Sequence, residues 1–217
     1  MKKLLTLVAF MALTLGASAQ YYVGGSVGFT SSKMDNGGAD QDGSSFKLMP
    51  EIGYQLDKDM AIGVQLGYSS GYAAFGSLTV TDIKGMMNNA VSMMSDINND
   101  DMKLKSFTFA PYIRYTMMEV GKVSFFLEGA VGYTNITTDQ TPAVGNHAAG
   151  GETKVNVIEV SVRPGLKLNL SDKVSAVAKL GSLGYISAKE DESDTKLTRF
   201  GLDVDSYNIL LGFNFHF

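Results

Sequence analysis

The 217-residue chain has no cysteine and no tryptophan, only 2 histidines and only 4 prolines. Without cysteine there is no disulfide framework, no thiol catalysis, no cysteine-rich metal site and no lipid attached through an N-terminal cysteine. Charged residues make up 18% of the chain, and acidic residues outnumber basic ones by 22 to 18, which argues against nucleic acid as a partner. Beyond Leu15 no stretch approaches the roughly eighteen consecutive apolar residues of a membrane-spanning helix. If the chain lives in a membrane, it must do so as a closed sheet, the other architecture that pairs every backbone polar group internally.

What is present begins with an address. Lys2 and Lys3 form a basic start, Leu4 to Leu15 an apolar run too short to span, and Ala17-Ser18-Ala19 a small-residue cleavage site. Residues 1–19 therefore read as a secretory signal cut between Ala19 and Gln20, leaving residues 20–217 as the mature domain. Loss of Lys2 and Lys3 leaves 16 basic against 22 acidic residues, a net charge of −6.

The mature sequence alternates. Side chains on a strand point to opposite faces in turn, so an apolar residue at every second position marks a strand with one greasy face. In the tail Tyr207, Ile209, Leu211, Phe213, Phe215 and Phe217 share one face, and Leu210 is the only apolar residue on the other. A loose terminus is normally polar, so this one is expected against something apolar. Similar stretches start near Gln20, Phe46, Met60, Ser106, Val123, Ile158 and Val174, making eight strands with the tail. Three segments run from a proline (Pro50, Pro111, Pro164) through a short turn to a Gly-Tyr pair, and each is read as one hairpin. Proline removes a ladder hydrogen bond, so a local bulge is expected at each.

Connections alternate in length. Short turns fall near Asp57–Asp59, Met117–Gly121 and Ser171–Lys173, and long segments near Ser31–Gly43, Ser70–Lys103, Asn135–Thr153 and Ser187–Arg199. This asymmetry belongs to transmembrane barrels, which have an even strand count, short periplasmic turns and longer outward loops. A soluble lipocalin-like barrel or sandwich would share the alternation with its greasy face inward. Lipid on the outside is favoured by the opposite face, which is rich in Gly24, Ser26, Gly28, Ala61, Gly63, Gly67, Ala110, Ala130, Gly132 and Gly181. Such residues suit a narrow lumen better than a solvated surface. Aromatic residues also gather at the two ends of the apolar stripes: Tyr54, Tyr115 and Phe217 at the short-turn end, Tyr68, Phe107 and Tyr133 at the loop end. The fold class read here is all-β, an eight-stranded antiparallel up-and-down transmembrane barrel with four long outward loops and three short periplasmic turns.

With its signal segment, eight alternating strands, long loops and aromatic tail ending in Phe217, the whole mature chain resembles the small outer-membrane β-barrel family, the group that includes OmpX, OmpW and the OmpA membrane domain. The resemblance implies residence in the outer membrane of a double-membraned bacterium, contact with outer-membrane lipids including lipopolysaccharide, and handling by periplasmic chaperones and the barrel-assembly machinery. It implies that Tyr207 to Phe217 carry the signal read by that machinery. It implies no enzyme and no cofactor. Unlike OmpA, the chain lacks a peptidoglycan-binding domain, so no cell-wall tether is inferred.

Candidate chemistry lies first in the lumen. Lys47, Glu51, Arg114, Glu128, Glu159, Arg163, Lys167 and Lys179 project inward on the strand register. Charges in so narrow a space must pair or stay wet. An interlocked plug that fixes register is the favoured reading, and a narrow path for small anions the competitor, with five bases against three acids. Neither histidine offers a catalytic constellation: His147 lies in a Gly/Ala-rich loop, and His216 at the trimmed end away from surface lipid.

In the second long segment, Ile83, Met86, Met87, Ala90, Met93, Met94 and Ile97 recur at helical spacing. Thr81 or Asp82 could cap the start, so a short amphipathic helix over the barrel mouth, or a Met-rich adaptable surface, is expected. Acidic groups in the loops (Asp35, Asp40, Asp42; Asp96, Asp100, Asp101; Glu190, Asp191, Glu192, Asp194) lack the order of a calcium site and read as a solvated rim. The function expected is structural or surface-interacting, with a lumen plugged by charged side chains; the alternative is a narrow passive channel or small hydrophobic-ligand carrier of the OmpW kind.

Overall fold

Hydrogen bonding runs from strand to strand around a closed wall. The computed structural model describes residues 21–35, 40–71, 102–140, 153–190, 196–204 and 209–217. They form β1 (Tyr21–Asp35), β2 (Asp40–Gln55), β3 (Met60–Gly71), β4 (Met102–Val120), β5 (Val123–Gln140), β6 (Thr153–Asn169), β7 (Val174–Leu180), β8 (Ser182–Glu190), β9 (Lys196–Asp203) and β10 (Ile209–His216). Each of β1 to β6 pairs antiparallel with the next, β6 carries both β7 and β8 along its far side, and β10 closes the circle between β7 and β1. The barrel thus has eight staves, two of them broken in two.

The break explains why ten strands appear where the alternation gave eight. Ser175, Val177 and Lys179 of β7 face inward, but beyond Gly181 the inward positions are Gly184, Ile186 and Ala188. Gly181 has φ +63°, in the left-handed region open mainly to glycine, and inserts the extra residue. A one-residue slip exchanges the two faces of everything downstream. A reading that assumes constant parity therefore ends its seventh strand here and takes Ser187–Arg199 for a loop, whereas β8 runs on to Glu190 and β9 begins at Lys196. The first long segment shrinks without any slip: β1 continues to Asp35 and β2 starts at Asp40, in unbroken register beyond the apolar stretch.

Two further expectations are corrected. Pro50 and Pro111 produce no bulge, since the pairing on either side of each keeps its register. Of the three prolines only Pro164 lies at a slip, opposite Gly181. A bulge occurs instead between Thr116 and Met118, letting β4 continue to Val120 through what reads as a turn. The remaining short turn is Gly121-Lys122, with Gly121 at φ +62°.

Side-chain sorting is inside-out relative to a soluble domain. Val27, Phe46, Leu48, Ile52, Leu66, Phe109, Ile113, Val131, Val160, Phe213 and Phe215 stand on the outer surface, while Ser26, Lys47, Glu51, Gln65, Arg114, Glu128 and Asn214 are buried within. Exposing that apolar surface to water would be unfavourable by about 25 cal/mol per Å²; lipid tails remove the penalty, and closure satisfies the backbone. Aromatic side chains group at the ends as expected. Tyr21 and Tyr54 lie with ring centroids 4.7 Å apart at the short-turn end, and Tyr68 is directly opposite Phe107 toward the loops.

Candidate functional site: a charged cluster sealed by aromatic rings

Four of the eight charged residues meet in the middle of the lumen. Arg114 on β4 and Glu128 on β5 are directly opposed, and Arg114 donates through Nη2 and Nε to Glu128 Oε2 at 2.6 and 3.1 Å. The same Nη2 reaches Glu51 Oε1 on β2 at 3.0 Å. Lys179 on β7 donates from Nζ to Glu51 Oε2 at 2.7 Å and lies 3.3 Å from Glu128 Oε2. Gln65 donates through Nε2 to Glu128 Oε1 at 2.8 Å, and Asn214 through Nδ2 to Glu51 Oε1 at 2.9 Å. Six staves are tied together this way, and the two carboxylates are balanced by one guanidinium and one ammonium. Glu128 is 0% exposed. Such charges are tolerable in a low dielectric only because each is paired and hydrogen-bonded on several sides.

Tyrosine and phenylalanine rings close the space on the short-turn side. The hydroxyls of Tyr22 and Tyr112 share a 2.7 Å hydrogen bond across the lumen. The Arg114 guanidinium stands 4.7 Å from the ring centre of Phe126 and 5.1 Å from that of Tyr112, within cation–π range. Each ring lies opposite a glycine on the neighbouring stave: Tyr22 on Gly53, Tyr112 on Gly63, Phe126 on Gly165. A Cβ at Gly53 would sit 2.2 Å from Tyr22 Cζ, and one at Gly165 the same distance from Phe126 Cζ. The small residues of the inner face thus leave room for flat rings laid against the wall.

The other charged positions are distributed. Arg163 donates to Glu159 at 2.9 Å, a second pair on β6 beside the first, since Arg163 is directly opposite Glu128. Lys47 is buried nearer the loop end, opposite Ser69. Hydroxyl pairs line that region: Ser69 with Ser106 at 2.5 Å and Thr108 with Thr134 at 2.7 Å. Lys167 is half-buried at the short-turn end, where Gln55, Lys122, Asn169 and His216 surround an open cavity of about 400 Å³. His216 Nε2 is 3.0 Å from Ser175 Oγ, so a serine does stand beside it, at the trimmed end of the barrel.

Tyr22, Tyr112, Phe126, Gln65 and Asn214 are parts of this site that the charge pattern alone does not single out. Their signal was parity: each falls on the polar face of its strand, between outward residues. Leu210 is also explained. It points inward and packs on Met49. In the tail Ile209, Leu211, Phe213, Phe215 and Phe217 face outward, and Tyr207 lies outside the described residues. So do Ala19, Gln20, His147 and the Met-rich segment from Ile83 to Ile97.

A closed antiparallel wall, greasy outside and polar or ionic within, defines a transmembrane β-barrel. The sequence matches the outer membrane protein beta-barrel domain family over residues 4–217, and the chain belongs to that family, whose members reside in the bacterial outer membrane. No curated protein matches it. Solved structures similar to it include Neisserial surface protein A (14% identity, 94% of this chain and 100% of that one, TM-score 0.49). They also include the N-terminal barrel domain of OprF from Pseudomonas aeruginosa (13% identity, 93% and 100%, TM-score 0.44). A third is Ail, the attachment invasion locus protein of Yersinia pestis (13% identity, 91% and 99%, TM-score 0.40).

Proposed function

We propose that the protein is an outer-membrane barrel that does not conduct along its axis and serves a structural or surface-interaction role through its loops. The observation that carries this reading is the bridging of Glu51 to both Arg114 and Lys179. It joins three staves across the lumen, with the Tyr22–Tyr112 contact directly beneath. A neutral, multiply bonded cluster leaves no line of free charge for ions to follow. On this reading residues 1–19 are an export signal removed after Ala19, the short-turn end is periplasmic, and the tail from Tyr207 to Phe217 is offered to the assembly machinery after transit with periplasmic chaperones. Its surroundings are outer-membrane lipids, lipopolysaccharide included.

Conductance of the refolded native protein in a planar bilayer is the test. The expected trace is flat in symmetric salt. Steps of current that respond to substitutions at Glu51 or Arg114 would place the narrow-channel alternative ahead.

A further inference from the structure

The lumen carries more positive charge than its ion pairs neutralise. Arg114 and Lys179 are held by Glu51 and Glu128, and Arg163 by Glu159. Lys167, inward on β6 at the short-turn end, has neither an ion pair nor a hydrogen bond among the described residues. Ser124, directly opposite it, donates its hydroxyl to Glu119 at 3.1 Å, and Glu119 stays beyond ion-pair reach of Lys167. A half-buried ammonium without a protein partner is unfavourable unless water or a ligand answers it.

The space it borders is the cavity of about 400 Å³ at the short-turn end. A second lysine stands over the same space. The Asn169 N–H donates to the Lys122 carbonyl oxygen at 2.8 Å, which fixes the Gly121-Lys122 turn against β6 and sets Lys122 beside the cavity with Lys167. Asn169 and Ser171 add neutral donors. Ser171 Oγ accepts from the Lys173 and Val174 N–H groups, at 3.3 and 3.1 Å, and keeps its own hydrogen free to donate. Gln55, Lys167 and His216 also border a crevice of about 10 Å³ that reaches Arg114, Tyr22 and Phe126. That is room for no more than one water, so the cavity is a blind pit set against the charged cluster.

We propose that this pit is a periplasm-facing receptor for a small phosphate monoester, with Lys167 and Lys122 on the phosphate oxygens and Asn169 and Ser171 completing the donors. Two ammonium groups on separate elements suit a tetrahedral dianion as point charges. A planar carboxylate is matched best by an arginine fork, and Arg114 has Nε and Nη2 committed to Glu128 and Glu51. The volume is that of a site for a small organic molecule, so the esterified group fills the polar remainder beside Gln55 and His216. Asp172 on the rim opposes a ligand of higher charge, such as a polyphosphate. The inference takes from the proposed function only that the short-turn end is periplasmic, and its test does not depend on whether the lumen conducts.

Glucose 6-phosphate is the probe, titrated calorimetrically into the refolded native protein in a non-ionic detergent at slightly alkaline pH, where a phosphate monoester is a dianion. It is expected to bind saturably, and glucose, succinate and inorganic phosphate at least tenfold more weakly. Lys167→Met and Lys122→Met should each weaken binding at least tenfold. Lys173→Met, at the same end but outside the lining, should change it less than twofold. Removing an unpaired charge orphans no partner, so Lys167→Met is expected to keep the native urea midpoint. Should it fail to refold, Lys122→Met decides, since that side chain is exposed on a turn. Absence of saturation, or equal losses at Lys173 and Lys167, would overturn the receptor. Succinate or inorganic phosphate binding as tightly as the ester would overturn its assignment to a phosphate monoester.

Discussion

Lys179 Nζ lies 2.7 Å from Glu51 Oε2, a strut between β7 and β2, which are separated by two other staves. Removing one partner of a buried ion pair leaves an uncompensated charge, at a cost of about 3–5 kcal/mol. Lys179→Met is expected to destabilise the barrel by that order, read as a lower urea midpoint in lipid or detergent. Glu51→Gln combined with Lys179→Met should recover most of the loss, because the double variant buries neither charge. A double variant no more stable than Lys179→Met would show that the strut is not held by charge compensation.

The ring-on-glycine packing makes a second prediction. Gly53→Val drives a side chain into Tyr22, and overpacking of this kind costs about 1–3 kcal/mol. Tyr22→Ala removes the obstacle along with the hydrogen bond to Tyr112. In a double-mutant cycle the pair should be non-additive, Gly53→Val becoming nearly neutral in the Tyr22→Ala background. Additive losses would mean that the valine is resisted by the backbone instead.

Depth in the membrane sets a third. Leu66 lies midway along β3 on the outer face, and Met118 near the short-turn end. Arginine on the lipid face costs about 2–4 kcal/mol at the midplane and about 0–1 near an interface. Leu66→Arg should therefore lower the unfolding free energy in bilayers by several times as much as Met118→Arg. Equal penalties would contradict the position of the apolar band.

The tail gives a fourth. The Phe217 N–H donates to the Tyr21 carbonyl oxygen at 2.9 Å, and its ring is partly exposed at the short-turn end. Loss of one such bond is worth about 1 kcal/mol, so a chain lacking Phe217 is expected to refold in detergent with little change in stability. In cells the same truncation should sharply lower the amount assembled in the outer membrane, measured by fractionation. Normal assembly would remove the recognition role from the terminal residue.

How far these features are legible in the sequence depends on parity. The β1 to β6 staves follow from strict alternation, because each keeps one face in lipid and one in the lumen over its apolar stretch, and the inward placement of Glu51, Arg114, Glu128 and Lys179 follows from the same count. Two things are hidden from it. An inserted residue such as Gly181 reverses the faces without leaving a gap in the apolar content, so the end of β8 and the start of β9 pass for loop. Which charges meet is set by stave order and shear around the barrel, and Glu51 and Lys179 are 128 positions apart in the chain. The rings of Tyr22, Tyr112 and Phe126 were readable only by noticing that they share the polar parity of their strands.

The β4–β5 hairpin runs well past its girdle, from Phe107 to Met102 on one strand and from Tyr133 to Gln140 on the other. At about 3.3 Å per residue and a tilt of about 45°, this ladder rises on the order of 10–15 Å beyond the acyl region. It therefore behaves as a stiff mast: whatever the segments at its tip touch is met clear of the lipid headgroups, at a standoff fixed by paired backbone.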